Sequence, residues 1–304
     1  MLRALLAVTA VAAMSAKAAE PLTVCMAENN PPLSYERVPD DASTLTGLDV
    51  RVAEAIADEL GRPLRLVPFE SKREGDSTLS HEVNALLSSG VCEMASGFAL
   101  FASDLGAPSR PTARVPDHPG APPPPKRPWV PLGTLVGSRA YHTVAMGLVV
   151  RDAARESATL AELGDARIAA VSGTLAGSAV SMYRNGKWRA QIVSLRQDQD
   201  AFAELEAGRA DATLATLDRL DAWRLAHPAT TLRRTGYRHP LRINIGFVML
   251  SDALALADTS NRVIARASEN GDLPKWTAAA GSTWIAPAEP QIGATLGLMD
   301  LLRE

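Results

Sequence analysis

Few residues in this chain have the types and spacing that chemistry needs, and those few suit holding a small molecule better than transforming one. Glu28, Asn30 and Tyr35 lie in one stretch, Ser96, Gly97 and Phe98 in a second, Ser172, Gly173 and Thr174 in a third, and Thr216 and Asp218 in a fourth. Ser172-Gly173-Thr174 offers backbone N–H groups and hydroxyls of the kind that hold an anion at a helix start. The same residues also suit a plain helix cap. Tyr35 could stack on a ligand or cover a rim. Asn30 could contact a solute or, with Asn29, simply turn the chain before Pro31-Pro32. Glu28 and Asp218 are the acids from which a general acid/base pair could be drawn. Other catalytic signatures are missing from the sequence. The five histidines are scattered without metal-ligand spacing, and His81-Glu82 lacks a second histidine four residues on. There is no Gly-x-Ser-x-Gly elbow and no phosphate-binding Gly-Lys-Ser/Thr. The four stretches are therefore read as ligand contacts, with no enzyme activity, metal or cofactor expected.

Placing those stretches requires strands that end just before them. The clearest element is 47–61, GLDVRVAEAIADELG, where Val52, Ala53, Ile56, Ala57 and Leu60 recur at helical spacing. Asp49 can cap the first turn and Gly61 can take the left-handed position that ends the helix. Strand-like runs flank it at 21–26 and 63–68, which makes a βαβ unit. A polar turn at 70–78, a helix carrying Leu79, Val83, Leu86 and Leu87, and a strand at 92–97 follow. A second βα series occupies 167–225, with strands at 167–171, 191–195 and 210–215 and helices between them. Two longer strands, 141–150 and 241–250, bracket that series and read as a paired crossing between two lobes. An internal echo supports two lobes: Leu87-x-x-Gly90-x-Cys92-Glu93 and Leu205-x-x-Gly208-x-Ala210-Asp211 share one spacing. In open α/β sheets ligands lie outside the carboxyl ends of the strands, and that rule selects the four stretches above.

Ten prolines between Pro108 and Pro131 exclude a helix or central strand there and predict a polyproline excursion or surface loop. Helices are expected at 253–270 and 272–280, with the tail from 281 packing on the first lobe or fraying. A formal net charge of −3 and the lack of any basic tract argue against a nucleic-acid partner. Arg3, the short apolar run 4–14 and Ala16-Lys17-Ala18 read as a cleavable secretory signal peptide. No later run is long enough to span a bilayer. Export bears on Cys25 and Cys92: in an oxidising compartment they are candidates for a disulfide, the alternative being two buried thiols.

GLDVRVAEAIADELG, LLSSGVCEMASGF, LEAGRADATLATLD and LRINIGFVML together resemble the family 3 extracellular solute-binding proteins. The resemblance covers most of the chain except the proline-rich insert. It implies a type II periplasmic-binding fold that closes two lobes on a solute. TVCMAENNPPLSY, GVCEMASGF and SRAYHTVAMGLVV are more narrowly similar to binding proteins associated with quinoprotein alcohol dehydrogenases, the J-type proteins of methanol oxidation. Cys25 and Cys92-Glu93 match positions characteristic of those proteins. Amino-acid-binding members carry a Thr-x-x-Arg element after the third strand, whose arginine grips the ligand carboxylate. The corresponding run here, 98–104, is FALFASD and has no arginine. The family's amine-binding aspartate should fall near Thr216, and Asp218 is the nearest acid.

The expected molecule is thus an α/β periplasmic solute-binding protein with a two-strand hinge. Residues 1–18 form the signal peptide, 19–145 with 245–304 the first lobe (including the insert 104–135), and 146–244 the second. Its ligand is a small solute other than an ordinary amino acid. The expected partner is an ABC permease or, in the alternative reading, a periplasmic quinoprotein dehydrogenase that it binds or activates. The chain is expected to act as a monomer.

Overall fold

The computed structural model describes residues 19–71, 77–123, 126–151, 156–196 and 199–303. The expected signal peptide, most of the polar turn after Glu70, and Pro124 and Pro125 lie outside the described residues. The chain starts with β1 (Leu22–Ala27), the short strands β2 (Asn29–Asn30), β3 (Ser34–Glu36) and β4 (Leu45–Thr46), and helix α1 (Leu48–Leu60). Val52, Ala53, Ile56 and Ala57 of α1 are buried, while Arg51 and Asp58 face solvent. Gly61 ends the helix at φ 62° and donates back to Ala57 and Asp58 carbonyls. Asp49 does not cap the helix, contrary to the sequence reading. Gly47 is the capping residue and Asp49 turns inward, fully buried. Gly47 has φ 126°, and a Cβ there would sit 2.1 Å from the Leu33 carbonyl oxygen, so no other residue fits.

After β5 (Leu64–Phe69), helix α2 (Leu79–Ser88) and β6 (Met94–Ala99), the proline-rich segment forms more than a loop. It folds as a hairpin of β7 (Thr112–Arg114) and β8 (Trp129–Pro131), then β9 (Leu135–Gly137). Pro111 precedes β7, Pro128 precedes β8 and Pro131 ends it, positions where a missing N–H costs little. Ala113 and Val115 bury against the α2 side of the core. Then come β10 (His142–Val150), β11 (Ile168–Val171), α3 (Leu175–Met182), β12 (Ile192–Leu195), α4 (Ala201–Glu206), β13 (Ala212–Thr216) and α5 (Leu217–Ala226). The chain returns through β14 (Arg233–Leu250) and closes with α6 (Leu254–Glu269), α7 (Asp272–Ala279) and α8 (Leu298–Leu301).

The main sheet runs β12-β11-β13-β10-β14-β6-β1-β5, with β9 also paired to β14. Strands β10 and β14 are antiparallel neighbours from His142↔Ile245 to Val150↔Arg233. β14 is longer than the expected 241–250. Residues from Arg233 to Ile245 pair with β10, and those from Ile245 to Leu250 pair with β6 and β9. At 18 residues it spans about 60 Å, enough to belong to both lobes. The register of the β10–β14 pair shifts on either side of Gly147, the kind of bulge that bends a strand pair. Each lobe has its own cores. α1 and α2 cover opposite faces of β5-β1-β6, and α3 and α4 cover opposite faces of β12-β11-β13.

The internal echo is structural. Glu93 pairs with Arg62 at 2.6 Å and accepts from the Thr23 N–H, while Asp211 pairs with Arg167 at 3.0 Å and accepts from the Arg167 N–H. Each acid stitches the start of its strand to the start of its neighbour. The tail also departs from expectation, because it reaches both lobes. Ser282 and Thr283 bond to Asp221 on α5, Gly293 bonds to Leu100 and Ala102, and the Leu301 carbonyl lies 3.2 Å from His239 Nε2 on β14. Asn244 of β14 anchors its middle.

Candidate functional site

In each lobe two successive helices lie on opposite faces of the sheet, so a crevice opens between the carboxyl ends of the strands they straddle. In the first lobe that point falls between β1 and β6, and in the second between β11 and β13. Ser96 and Gly97 occupy the first. Gly97 adopts φ +66°, and its N–H donates to the Tyr141 hydroxyl at 3.0 Å. That hydroxyl in turn donates to Asp49 Oδ1 at 2.7 Å. A Cβ on Gly97 would stand 3.2 Å from Asp49 Oδ2 and 3.7 Å from Asn30 Nδ2, so Asn30 borders the same cluster. The backbone donor best placed for a ligand is therefore already held by Tyr141.

Asp49 sits in that cluster at a cost. Burial pushes its carboxyl up to about 6, against the opposing pull of the Tyr141 hydroxyl, Ser96 and His142. Its Oδ2 receives no hydrogen bond from the protein. The folded state thus binds a proton more tightly than the unfolded chain does. Stability from this group is fully present below about pH 4 and is lost as pH rises through about 6. Asp49→Asn supplies the neutral form at every pH, with Nδ2 beside Ser96. The difference in unfolding free energy between Asp49→Asn and the parent should grow by on the order of 2–3 kcal/mol from pH 4 to 7.5, in favour of Asn. Urea unfolding at the two pH values checks this, and a difference independent of pH would refute it.

The other first-lobe candidates are dispersed. Phe98 is 3% exposed and packs its ring among Leu86, Val115 and Val248, away from the crevice. Tyr35 is half-buried in the small β2-β3-β4 sheet, opposite Asn29 and Thr46. Glu28 lines a separate recess with Glu36, Asp40, Glu70 and Asp117. Its carboxyl is raised by burial and then by Glu70 and the other acids. Glu28 and Asp218 therefore occupy different surroundings. Asp218 is buried at the start of α5, with Oδ1 3.0 Å from His142 Nε2 and 3.3 Å from Ser282 Oγ. Asp218 is thus engaged through Oδ1, while its Oδ2 accepts no hydrogen bond from the protein.

The second-lobe point opens into a cavity of about 230 Å³. Thr174 and Thr216 both line it, as do Val144 and Ile243 of the hinge strands, Leu214 and Phe202. Thr174 is the cap of α3: its Oγ1 accepts from Gly177 N at 3.0 Å and donates to the Val171 carbonyl at 2.8 Å. Thr216 caps no backbone N–H with its side chain. Ser172 is exposed, its hydroxyl 3.3 Å from that of Ser194. At the rim Asp200 caps α4 and pairs with Arg219 at 2.9 Å. Sequence reasoning missed Tyr141, His142, Arg219 and the apolar wall. The signal for the wall was present: Val144 and Met146, like Leu241 and Ile243, alternate on strands and so share one face. Among the described residues no group of three or more His, Cys, Asp or Glu could hold a metal ion, and no helix is long and apolar enough to cross a membrane.

The sequence matches no protein-family profile and no characterised protein. The fold matches solved structures over nearly all of their length. Substrate-binding domain 2 of Lactococcus lactis GlnP in its open conformation aligns with a TM-score of 0.60 and 13% identity, over 90% of this chain and all of that one. An ancestral cationic amino acid solute-binding protein aligns at 0.59 and 19%, over 86% and 96%. The unliganded, open L-cystine solute receptor of Neisseria gonorrhoeae aligns at 0.58 and 18%, over 88% and 94%. At these identities the likeness establishes the two-lobed type II periplasmic-binding fold.

Proposed function

We propose that this protein is an exported, periplasmic solute-binding protein that captures a small molecule between its lobes and does not act on it chemically. In this reading 19–145 with 245–304 forms one lobe and 146–244 the other. The observation that carries the proposal is the cavity at the second-lobe switch point, roofed by hinge residues Val144 and Ile243 and edged by Thr174 and Thr216. A molecule seated there touches the strands about which the lobes would turn. A solute that bridges the lobes favours closure by its differential affinity for the closed state. On the first-lobe side Asn30 and Ser96 would meet it, with Glu28 and Tyr35 at the margin and Ser172 at the opposite rim. Solved proteins of this fold include amino-acid ABC transporter components, which supports an ABC permease as the reader of the closed state. No feature of the site favours a quinoprotein dehydrogenase in that role.

An ordinary amino acid is not the proposed ligand. No arginine stands in the run 98–104, Asp218 Oδ1 is held by His142, and the Gly97 N–H is held by Tyr141. A thermal-shift screen of amino acids, polyols, alcohols, aldehydes and metal ions should find a class that raises the midpoint. The best stabiliser should also reduce the radius of gyration in X-ray scattering. Solutes that bind without changing the scattering profile would remove hinge closure from the proposal.

A further inference from the structure

We infer that the second-lobe cavity takes an uncharged, predominantly apolar small molecule bearing one hydrogen-bonding group, such as a short-chain or aromatic alcohol or aldehyde. This rests on the solute-binding reading above and names the ligand class. At about 230 Å³ the cavity is larger than the ~150 Å³ apolar cavity that holds benzene. Its walls are Met146, Val171, Leu175, Leu214, Leu241 and Ile243, side chains with no polar atom to offer beyond the methionine sulfur.

The polar side chains that reach it are almost all committed. The Thr174 hydroxyl is used in both directions by its own helix cap. The Thr213 hydroxyl donates to the Ala169 carbonyl at 2.9 Å. Asp200 and Arg219 neutralise each other, and Asp200 also accepts from the Phe202 N–H at 2.7 Å. Thr216 is left to meet one polar group of a ligand.

Charge decides the class. An ionised carboxylate entering this cavity competes with Asp200 for Arg219 or is left with the first-turn N–H groups of α3 and no counter-charge. An ammonium group faces the mirror problem with Asp200. Burying an unpaired charge against apolar walls is strongly unfavourable, whereas a neutral molecule exchanges water for apolar contact over the same area. The zwitterion of an amino acid therefore finds no unshared counter-charge among the side chains that line the cavity, for either of its charges.

The test uses two matched probe series on the full mature chain. One is benzyl alcohol, benzaldehyde, benzoate, benzylammonium and phenylalanine; the other is hexanol, hexanal, hexanoate, hexylammonium and norleucine. Titration calorimetry should show a neutral member binding at least about tenfold tighter than every charged member of its series. Ala176→Phe and Ala215→Phe place a ring in the cavity and should each weaken that binding at least about tenfold with the fold retained by circular dichroism. Arg219→Gln should change it by less than about threefold, since a neutral ligand makes no use of the guanidinium.

Tighter binding of a carboxylate, ammonium or amino-acid member, abolished by Arg219→Gln or by the cavity-filling variants, overturns the inference and leaves the solute-binding reading standing. If neither series binds while another solute of the screen does, the inference again falls alone. If no solute of either series or of the wider screen binds, the solute-binding reading falls with it.

Discussion

Replacing Cys25 and Cys92 together by alanine should lower the unfolding free energy by about 4 kcal/mol, the chain-entropy value for a loop of this length. The two cysteines are bonded, 67 residues apart in sequence with Cα atoms 5.7 Å apart. The closed loop contains α1, β5 and α2, most of the first lobe's βα framework. Opening it lets the unfolded chain explore far more conformations and leaves the folded contacts almost unchanged. Both residues are buried, so two alanines also remove some apolar contact with Val67, Leu86 and Val248, and this adds to the loss. For a chain this size the midpoint of thermal unfolding should fall by roughly 10 °C. The bond ties β1 to the turn that leads into β6, the two strands whose carboxyl ends form the first-lobe wall. Urea unfolding of the oxidised parent and the double variant checks the value. Coincident transitions would show that the bond does not restrict the unfolded chain.

The sequence was most informative where one periodicity ruled. The α1 stripe and Gly61 defined that helix because burial and termination act through neighbours three and four residues apart. The two hinge strands were legible as long apolar runs, but the first half of β14 was not. Its residues, RRTGYRHP, look like a polar loop, although Thr235, Tyr237 and His239 are buried and Gly236, Arg238 and Pro240 exposed in strict alternation. The period-two signal was there; the arginines and the proline masked it. Thr174 and Thr216 could be placed at the cavity because the carboxyl-end rule depends only on strand order. Phe98 could not be excluded by that rule, because which face a residue takes depends on the register with β14. Asp49 misled for a related reason. An acid in a helix's first turn is normally a cap, and its turn toward Tyr141 depends on a residue 92 positions away. The tail has no periodicity at all. Its path is fixed by long-range hydrogen bonds, and the only hint was one amide within the apolar run LRINIGFVML.

That amide supports the other large effect. Asn244 is 7% exposed and works as a clamp. Its Nδ2 donates toward the carbonyls of Ala288 at 2.7 Å, Gln291 at 3.0 Å and Pro290 at 3.3 Å. Its Oδ1 accepts from the Thr143 hydroxyl at 2.7 Å and the Ala288 N–H at 3.0 Å. One side chain thus binds both hinge strands to the tail that touches both lobes. Asn244→Ala leaves several of these groups buried without partners and should cost about 3–5 kcal/mol. Amide exchange should report the loss locally, with Ala288 and Gly293 losing protection before the β10–β14 pair does. Asn244→Asp separates hydrogen bonding from packing. It keeps the shape but turns a carboxylate toward three carbonyl oxygens, so at pH 7.5 it should be at least as damaging as alanine. A carboxyl so placed is held above its ordinary range, and its protonated form can donate where the amide did. The folded aspartate variant then takes up a proton that the unfolded chain does not, and it should regain stability as pH falls toward 5, while the alanine variant should not. Parallel pH dependence of the two variants would mean that the amide fills space and does not clamp. The tail would then be held by its remaining contacts to Leu100, Asp221 and His239.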